Sequence, residues 1–385
     1  MQAVTVQVWA LGDAARCLNG ESAATAARDV VAAGNAPVMM LGDLVAPTGS
    51  VSEFANCFDP VWGALKPRMK PTPGNHEYNT TNAAGYYGYF DPIAPYYSWS
   101  INGWQMYSIN SMCEQHGGCG PGSPQYVWLE GRLRADTNIC QAAYWHHPRW
   151  SQGQFGNIAK MAPLYELLDR YDVELLFAGN DNGDYMRYPP INASGTVDPD
   201  GVTEFIAGTG GVIGSYYYTG NAPAPLVRRH GTLGAVLTDL TPTSWSTRFV
   251  AEAGSTFTDS ASGTCFDGDP PPGDVATPVA TVTTPASNAR VPSPVSFAGQ
   301  ATDDVGVDRV RIAIRDRATL RWRQPDGTWA TTFRQFDATL SARGSASTGW
   351  SISMTLPPGS YGVSARAVDT AGKRQDPDAW VTFTV

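Results

Sequence analysis

The sequence predicts an α/β layered domain followed by an all-β sandwich. Three observations predict it. Strand-like apolar runs alternate with helix-like runs over most of the 385-residue chain. Three consecutive prolines, Pro270-Pro271-Pro272, then interrupt it, and these can continue neither a helix nor a central strand. Beyond them helix signals nearly vanish, and short segments rich in Val, Ile and Thr recur between turn residues. A chain of this length exceeds one compact core, so the predicted division is 1–266 for the first domain, 267–278 for a stiff linker and 279–385 for the sandwich.

In the first domain, residues 4–11 form the first expected strand, and 22–33 have helical composition with Val30 and Val31 to bury. Residues 37–41, 105–109, 141–145, 173–178 and 203–207 read as further strands, and 165–171 as a helix. Several of these strands are unbroken apolar runs, as expected when both sheet faces are covered. In the second domain, 279–283, 295–299, 310–315, 350–354, 361–368 and 379–385 are the expected strands, punctuated by Asp326-Gly327 and Pro357-Pro358-Gly359.

Hydrophobic residues are 42% and charged residues 16%, a globular composition. The net charge of -9 argues against nucleic acid or an anionic membrane surface as partner, but not against a small anionic substrate, because a bound metal reverses the local field. No apolar run approaches the ~20 residues that cross a bilayer. Met1 leads directly into a strand-like stretch, so the chain is expected to be the mature form of a secreted, bacterial-type protein whose leader has been removed. Oligomeric state has no signature in the sequence.

None of the six cysteines forms a Cys-x-x-Cys pair, which disfavours zinc ribbons and thioredoxin-type redox sites. The even count suits three disulfides in an oxidising compartment. Spacing leaves the pairing open. Cys113 with Cys119 would close a short loop around Gly117-Gly118, and Cys17 with Cys57 and Cys140 with Cys265 would then follow.

Five loops carry the chemistry: Leu11-Gly12-Asp13, Leu41-Gly42-Asp43, Pro73-Gly74-Asn75-His76-Glu77, Tyr144-Trp145-His146-His147-Pro148 and Ala178-Gly179-Asn180-Asp181-Asn182. Most follow an apolar strand, and ligands of α/β sheets gather outside the carboxyl ends of strands. A single Gly-Asp turn is common and says little. Five such loops in order favour a metal centre. Two cations about 3.5–4 Å apart, bridged by a carboxylate, would stabilise the attacking and leaving oxygens of a displacement at phosphorus.

This order of loops resembles the calcineurin-like metallophosphoesterases, in particular the purple acid phosphatase branch, over roughly residues 3–255. The flanking text Lys70-Pro71-Thr72 and Gly122-Ser123-Pro124-Gln125 agrees. The resemblance implies a β-sandwich flanked by helices, in αββα layers, and a hydrolase with two divalent metal ions, which Fe, Zn, Mn, Mg or Ca would supply. It assigns Asp13 to the first metal, Asp43 to a bridge, and Asn75 and His146 to the second metal. His76 would protonate the leaving group or hold the phosphate, and Glu77 would orient His76. His147 would contact substrate; its alternative is a hydrogen-bonded structural histidine. The second domain, through Ala301-Thr302-Asp303-Asp304-Val305-Gly306-Val307 and Ala367-Val368-Asp369-Thr370-Ala371-Gly372, resembles immunoglobulin-like modules appended to secreted bacterial enzymes.

Three positions depart from the family pattern. Its last motif, Gly-His-x-His, is Gly179-Asn180-Asp181-Asn182 here, and the tyrosine of the purple branch is replaced by Ala46, so its colour should be absent. An amide oxygen is a harder, weaker donor than imidazole, which shifts Asn180 and Asn182 towards magnesium, calcium or manganese. The expected function is a secreted, metal-dependent phosphoesterase with an altered site, in an inactivated form. The alternative is a naturally divergent member that binds a ligand or performs other chemistry with one metal or none. Near the last motif, Asp184 and Arg187 are substrate-binding candidates, Arg187 by pairing with a phosphate oxygen or else by a structural ion pair. Tyr217 and Tyr218 are candidates for a pocket wall, because consecutive strand residues face opposite sides.

Overall fold

A computed structural model describes residues 4–17, 25–136, 138, 140–265, 276–370, 373–375 and 378–385. The chain divides into two units, Met1–Cys265 and Phe266–Val385. Most of the linker expected at 267–278 lies outside the described residues, as do residues 22–24 of the first expected helix.

The N-terminal unit is built on two sheets. The first has the spatial order Ser260–Thr264, Ser244–Ala251, Gly234–Leu240, Val6–Leu11, Val38–Leu41, Met69–Thr72; its last three strands are parallel. The second runs Val227–His230, Asp184–Ile191, Val202–Ala207, Leu175–Ala178, Cys140–Trp145, Trp104–Ser108, Tyr97–Ile101, with four consecutive parallel strands at its centre.

Strand periodicity sorts the side chains into layers. Val8, Ala10, Met39 and Leu41 from one sheet meet Ala142, Tyr144, Leu175 and Phe177 from the other in the central layer. Their neighbours Trp9, Leu11, Val38 and Met40 face outward onto helix Thr25–Ala32 and the Phe54, Phe58 and Trp62 cluster. Ala143, Trp145, Leu176 and Ala178 face outward onto helices Pro124–Ala135 and Ala162–Arg170. The result is the αββα arrangement. Strands buried on both faces, such as Val38–Leu41 and Leu175–Ala178, are the ones that read as unbroken apolar runs.

Tyr86, Tyr87, Tyr89 and Phe90 pack in one cluster with Phe54 and Phe58. The three disulfides are Cys17–Cys57, Cys113–Cys119 and Cys140–Cys265. Among the described residues no helix is long and apolar enough to cross a membrane.

The C-terminal unit is all β. One sheet orders Val279–Thr284, Val295–Thr302, Ser347–Met354 and Thr339–Leu340. The other orders Ala289–Arg290, Ala379–Thr384, Ser360–Asp369, Val307–Asp316, Trp322–Arg323 and Trp329–Ala330, with Phe336–Asp337 beside Val307–Asp316. Phe297, Ile312, Ile314, Trp350, Val363, Ala365 and Phe383 fill the space between them.

Candidate metal centre

Loops from both sheets converge at the carboxyl ends of the parallel strands. Backbone bonds stitch them together: Asp13 N–H donates to Gly42 O, Ala14 N–H to Asp43 O, Gly12 N–H to Ala207 O and Gly179 N–H to His146 O. Asp13, Asp43 and Asn180 all have positive φ, at 56°, 49° and 73°. Ordinary L-residues avoid this conformation, and it concentrates at functional sites. Gly42, at φ 82°, sits where a Cβ would lie 2.6 Å from His146 Cβ, so only glycine lets that imidazole approach.

One ligand atom each of Asp13, Asp43 and His146 lie within 4.8 Å of one another, and all three side chains are buried. His146 donates from Nδ1 to Leu41 O at 2.8 Å, which directs Nε2 at Asp43 Oδ2 and Asn75 Oδ1, each 3.2 Å away. Asp43 Oδ1 accepts the His76 N–H at 2.9 Å. Asp13 Oδ2 accepts the Asn180 N–H at 2.9 Å, while Asp13 Oδ1 and Asn180 Nδ2 are buried without a hydrogen-bond partner.

The electrostatics show what the cluster lacks. Burial pushes the Asp13 carboxyl well above its ordinary range, opposed by His146 and reinforced by Asp43. Burial acts on Asp43 in the same direction, but the charge and hydrogen bond of His146 outweigh it and hold Asp43 low. Burial lowers His146, yet Asp43 and Asp13 raise it to about 9. A proton on His146 thus stands where a cation would neutralise two buried carboxylates. The donor set of two carboxylates, an amide oxygen from Asn75 and an imidazole fits a divalent cation.

The family profile of the calcineurin-like phosphoesterases matches residues 7–181, and that of a bacterial Ig domain matches residues 278–365. The N-terminal unit has a metallophosphoesterase-like α/β core, and the matched residues 7–181 lie within it. Among solved structures, purple acid phosphatase PPD1 from yellow lupin (Lupinus luteus) seeds is similar, with a TM-score of 0.56 and 15% identity over 68% of this chain and 54% of that chain. This likeness is one of fold, and the chain spans about half the length of the lupin enzyme. A structure of PhoD covers 68% of this chain and 70% of its own, at a TM-score of 0.48 and 10% identity. No curated protein matches the chain.

The remaining candidates divide into those at the centre and those beside it. His76 lies at the rim, its Nδ1 donating to Pro47 O at 2.7 Å and its Nε2 3.6 Å from Asp43 Oδ2. Glu77 does not hold the His76 ring. Its Oε2 accepts N–H bonds from Asp43 and Gly74, and its Oε1 from Leu44 and Val45, so it ties the Asp43 loop to the Gly74 loop. Burial and the Asp43 charge raise its carboxyl to about 7 against these four donors. His147 is nearly buried; its Nδ1 bonds Ser111 Oγ at 2.8 Å, and burial together with the His146 charge lowers it to about 2, which favours the neutral ring. Asn180 is at the centre. Asn182 follows it, with its backbone carbonyl accepting from Gly214 and its side chain making no hydrogen bond among the described residues.

Asp184 is paired with His230, Oδ1 to Nδ1 at 2.9 Å, and burial raises its carboxyl to about 6. Arg187 makes a two-pronged ion pair with Asp259, Nε to Oδ2 at 2.8 Å and Nη2 to Oδ1 at 3.0 Å, and is not available to a phosphate. The segment carrying Tyr217 and Tyr218 is irregular, so strand alternation does not apply to it. Tyr217 is exposed, and Tyr218 lies under the Arg228 guanidinium at 4.3 Å. Asp181, between the two asparagines, is fully buried and accepts from Ser151 Oγ and Phe155 N–H, which fastens the 151–155 loop. Neither Asp259 nor Ser151 carries a sequence motif that marks it; only proximity in the fold does.

Proposed function

We propose that this protein is a secreted, metal-dependent phosphoesterase in which one cation position is well built and a second is weakened by Asn180 and Asn182. The observation that carries this reading is the convergence of Asp13, Asp43 and His146, with an unpartnered Asp13 oxygen at its centre. A divalent cation held by Asp13, Asp43, Asn75 and His146 supplies Lewis-acid stabilisation of charge on a phosphoryl oxygen. The chain's own residues do the rest. His146 is fixed from behind by Leu41 O. Pro47 O holds the Nδ1–H of His76, which leaves Nε2 facing Asp43 as the position that carries the second proton. In hydrolysis, water adds to phosphorus and loses one proton to solvent, the P–O ester bond breaks, and the proton on His76 Nε2 passes to the departing alkoxide and is then replaced from solvent.

The three disulfides suit an oxidising compartment, which supports secretion. Turnover of this sequence is expected to be low. The double change Asn180→His with Asn182→His is expected to bring bound metal to about two equivalents per chain and to raise hydrolysis of nitrophenyl phosphate esters at least about tenfold. A double variant that binds two metals and stays at background turnover would overturn the phosphoesterase reading in favour of a ligand-binding role.

A further inference from the structure

One end of the C-terminal sandwich is closed by carboxylates where the rest of its interior is apolar. In strand Val295–Thr302 every second residue, Val295, Phe297, Gly299 and Ala301, is buried, and Asp303 takes the next position in that alternation. In the opposite sheet Tyr361, Val363, Ala365 and Ala367 point into the sandwich, and Asp369 continues that series. The two positions belong to the same end. Asp303 Oδ2 accepts the N–H of Val305 at 2.9 Å and that of Gly306 at 3.0 Å. Gly306 O accepts the Thr370 N–H at 2.8 Å, and Val307 pairs with Asp369 across the sheet. Asp303 is 7% exposed and Asp369 1%.

The Asp303 carboxylate is only half satisfied. Its Oδ1 is buried and has no hydrogen-bond partner. Among the described residues no basic side chain pairs with Asp303: Lys373 Nζ donates to Ala276 O, and Arg343 and Arg309 engage Asp308. A buried ionised oxygen without a donor is strongly unfavourable, and each one calls for a partner. Water satisfies the hydrogen bond but not the charge, and a second carboxylate at Asp369 adds to that charge. A cation answers both.

We propose that Asp303 and Asp369 hold a calcium ion at this end of the sandwich. Residues 276–385 contain no His and no Cys, so the donors there are carboxylate and backbone oxygens. That set selects a hard cation over zinc or iron. Calcium takes about six to eight oxygens in a flexible geometry, which suits two carboxylates from different sheets, completed by carbonyls and water, better than the strict octahedron of magnesium. The ion would tie the end of Val295–Thr302 to the end of Ser360–Asp369. The site shares no residue with the Asp13, Asp43 and His146 centre and does not depend on the phosphoesterase reading.

The test is calorimetric titration of the metal-stripped full chain with calcium, in an Asp13→Asn background that disables the N-terminal centre. About one equivalent should bind, with Kd on the order of 0.1–1 mM, the range of extracellular modules. Asp303→Asn keeps an oxygen for the Val305 and Gly306 N–H groups while removing the charge, and should weaken calcium binding at least about tenfold, as should Asp369→Asn. Near-ultraviolet circular dichroism without calcium should be unaltered in Asp303→Asn. In the unmodified chain, calcium should slow amide hydrogen exchange in peptides covering 303–307 and 366–370, and magnesium at the same concentration should not. Absence of calcium binding in the Asp13→Asn background, binding indifferent to Asp303→Asn, or equal protection by magnesium would each overturn the proposal; the first would leave a buried water as the partner of Asp303 Oδ1.

Discussion

Replacing Glu77 by glutamine separates two roles for that residue. As a carboxylate it accepts from four backbone N–H groups, those of Asp43, Gly74, Leu44 and Val45. Glutamine keeps one oxygen and presents an NH2 where two of these donors point. Two buried N–H groups then lose their acceptor, at about 1–3 kcal/mol each, so the loss is about 2–6 kcal/mol. For a domain of this size each kcal/mol moves Tm by about 2–4 °C, so a fall of about 4–24 °C is expected. The Asp43 loop should also loosen, weakening cation affinity. Differential scanning fluorimetry and calorimetric titration with manganese read both quantities. If Glu77 instead orients His76, Tm and cation affinity will hold within about 2 °C and twofold, and only turnover of esters with poor leaving groups will drop. That outcome would refute the bracing argument.

Gly42→Ala should weaken cation binding at least about tenfold, since it adds about 1–2 kcal/mol of left-handed strain and drives a methyl towards His146; titration of metal-stripped protein checks it. Burial raises the Glu204 carboxyl to about 8 from its ordinary value of 4.5. Between those values the folded protein keeps a proton that the unfolded chain has lost, so stability falls as pH rises through that window, by on the order of 5 kcal/mol, and is level above it. Denaturation in urea across pH 5 to about 9 should show this slope, flattened in Glu204→Gln; an identical slope would refute the assignment. Arg187→Ala should cost about 1–3 kcal/mol by leaving Asp259 with fewer donors, and should leave KM for a phosphate ester unchanged; a raised KM would return Arg187 to the substrate.

Much of this protein is legible in its sequence because its parallel strands are buried on both faces. Val38–Leu41 and Leu175–Ala178 show as apolar runs, and the turns after them carry Asp43 and Asn180. Where strands hold proline or alternate with polar residues, as in Met69–Thr72 and Asp184–Ile191, the run is broken and the signal is lost, although the ladder still forms. Helix Pro124–Ala135 likewise carries too weak an apolar stripe to stand out.

Residue types and their order are properties of the chain, and they determined that a cluster of candidate metal ligands, with asparagines at positions 180 and 182 beside it, lies at the ends of these strands. Which atoms face each other is not such a property. Glu77 neighbours His76 in sequence yet bonds to backbone more than thirty residues earlier. Arg187 reaches Asp259 seventy-two residues away, and Asp184 reaches His230 forty-six residues away. These partnerships arise only when two sheets stack and bring their loops together, because a hydrogen bond depends on distance and direction in space, and sequence spacing encodes neither beyond a turn or two.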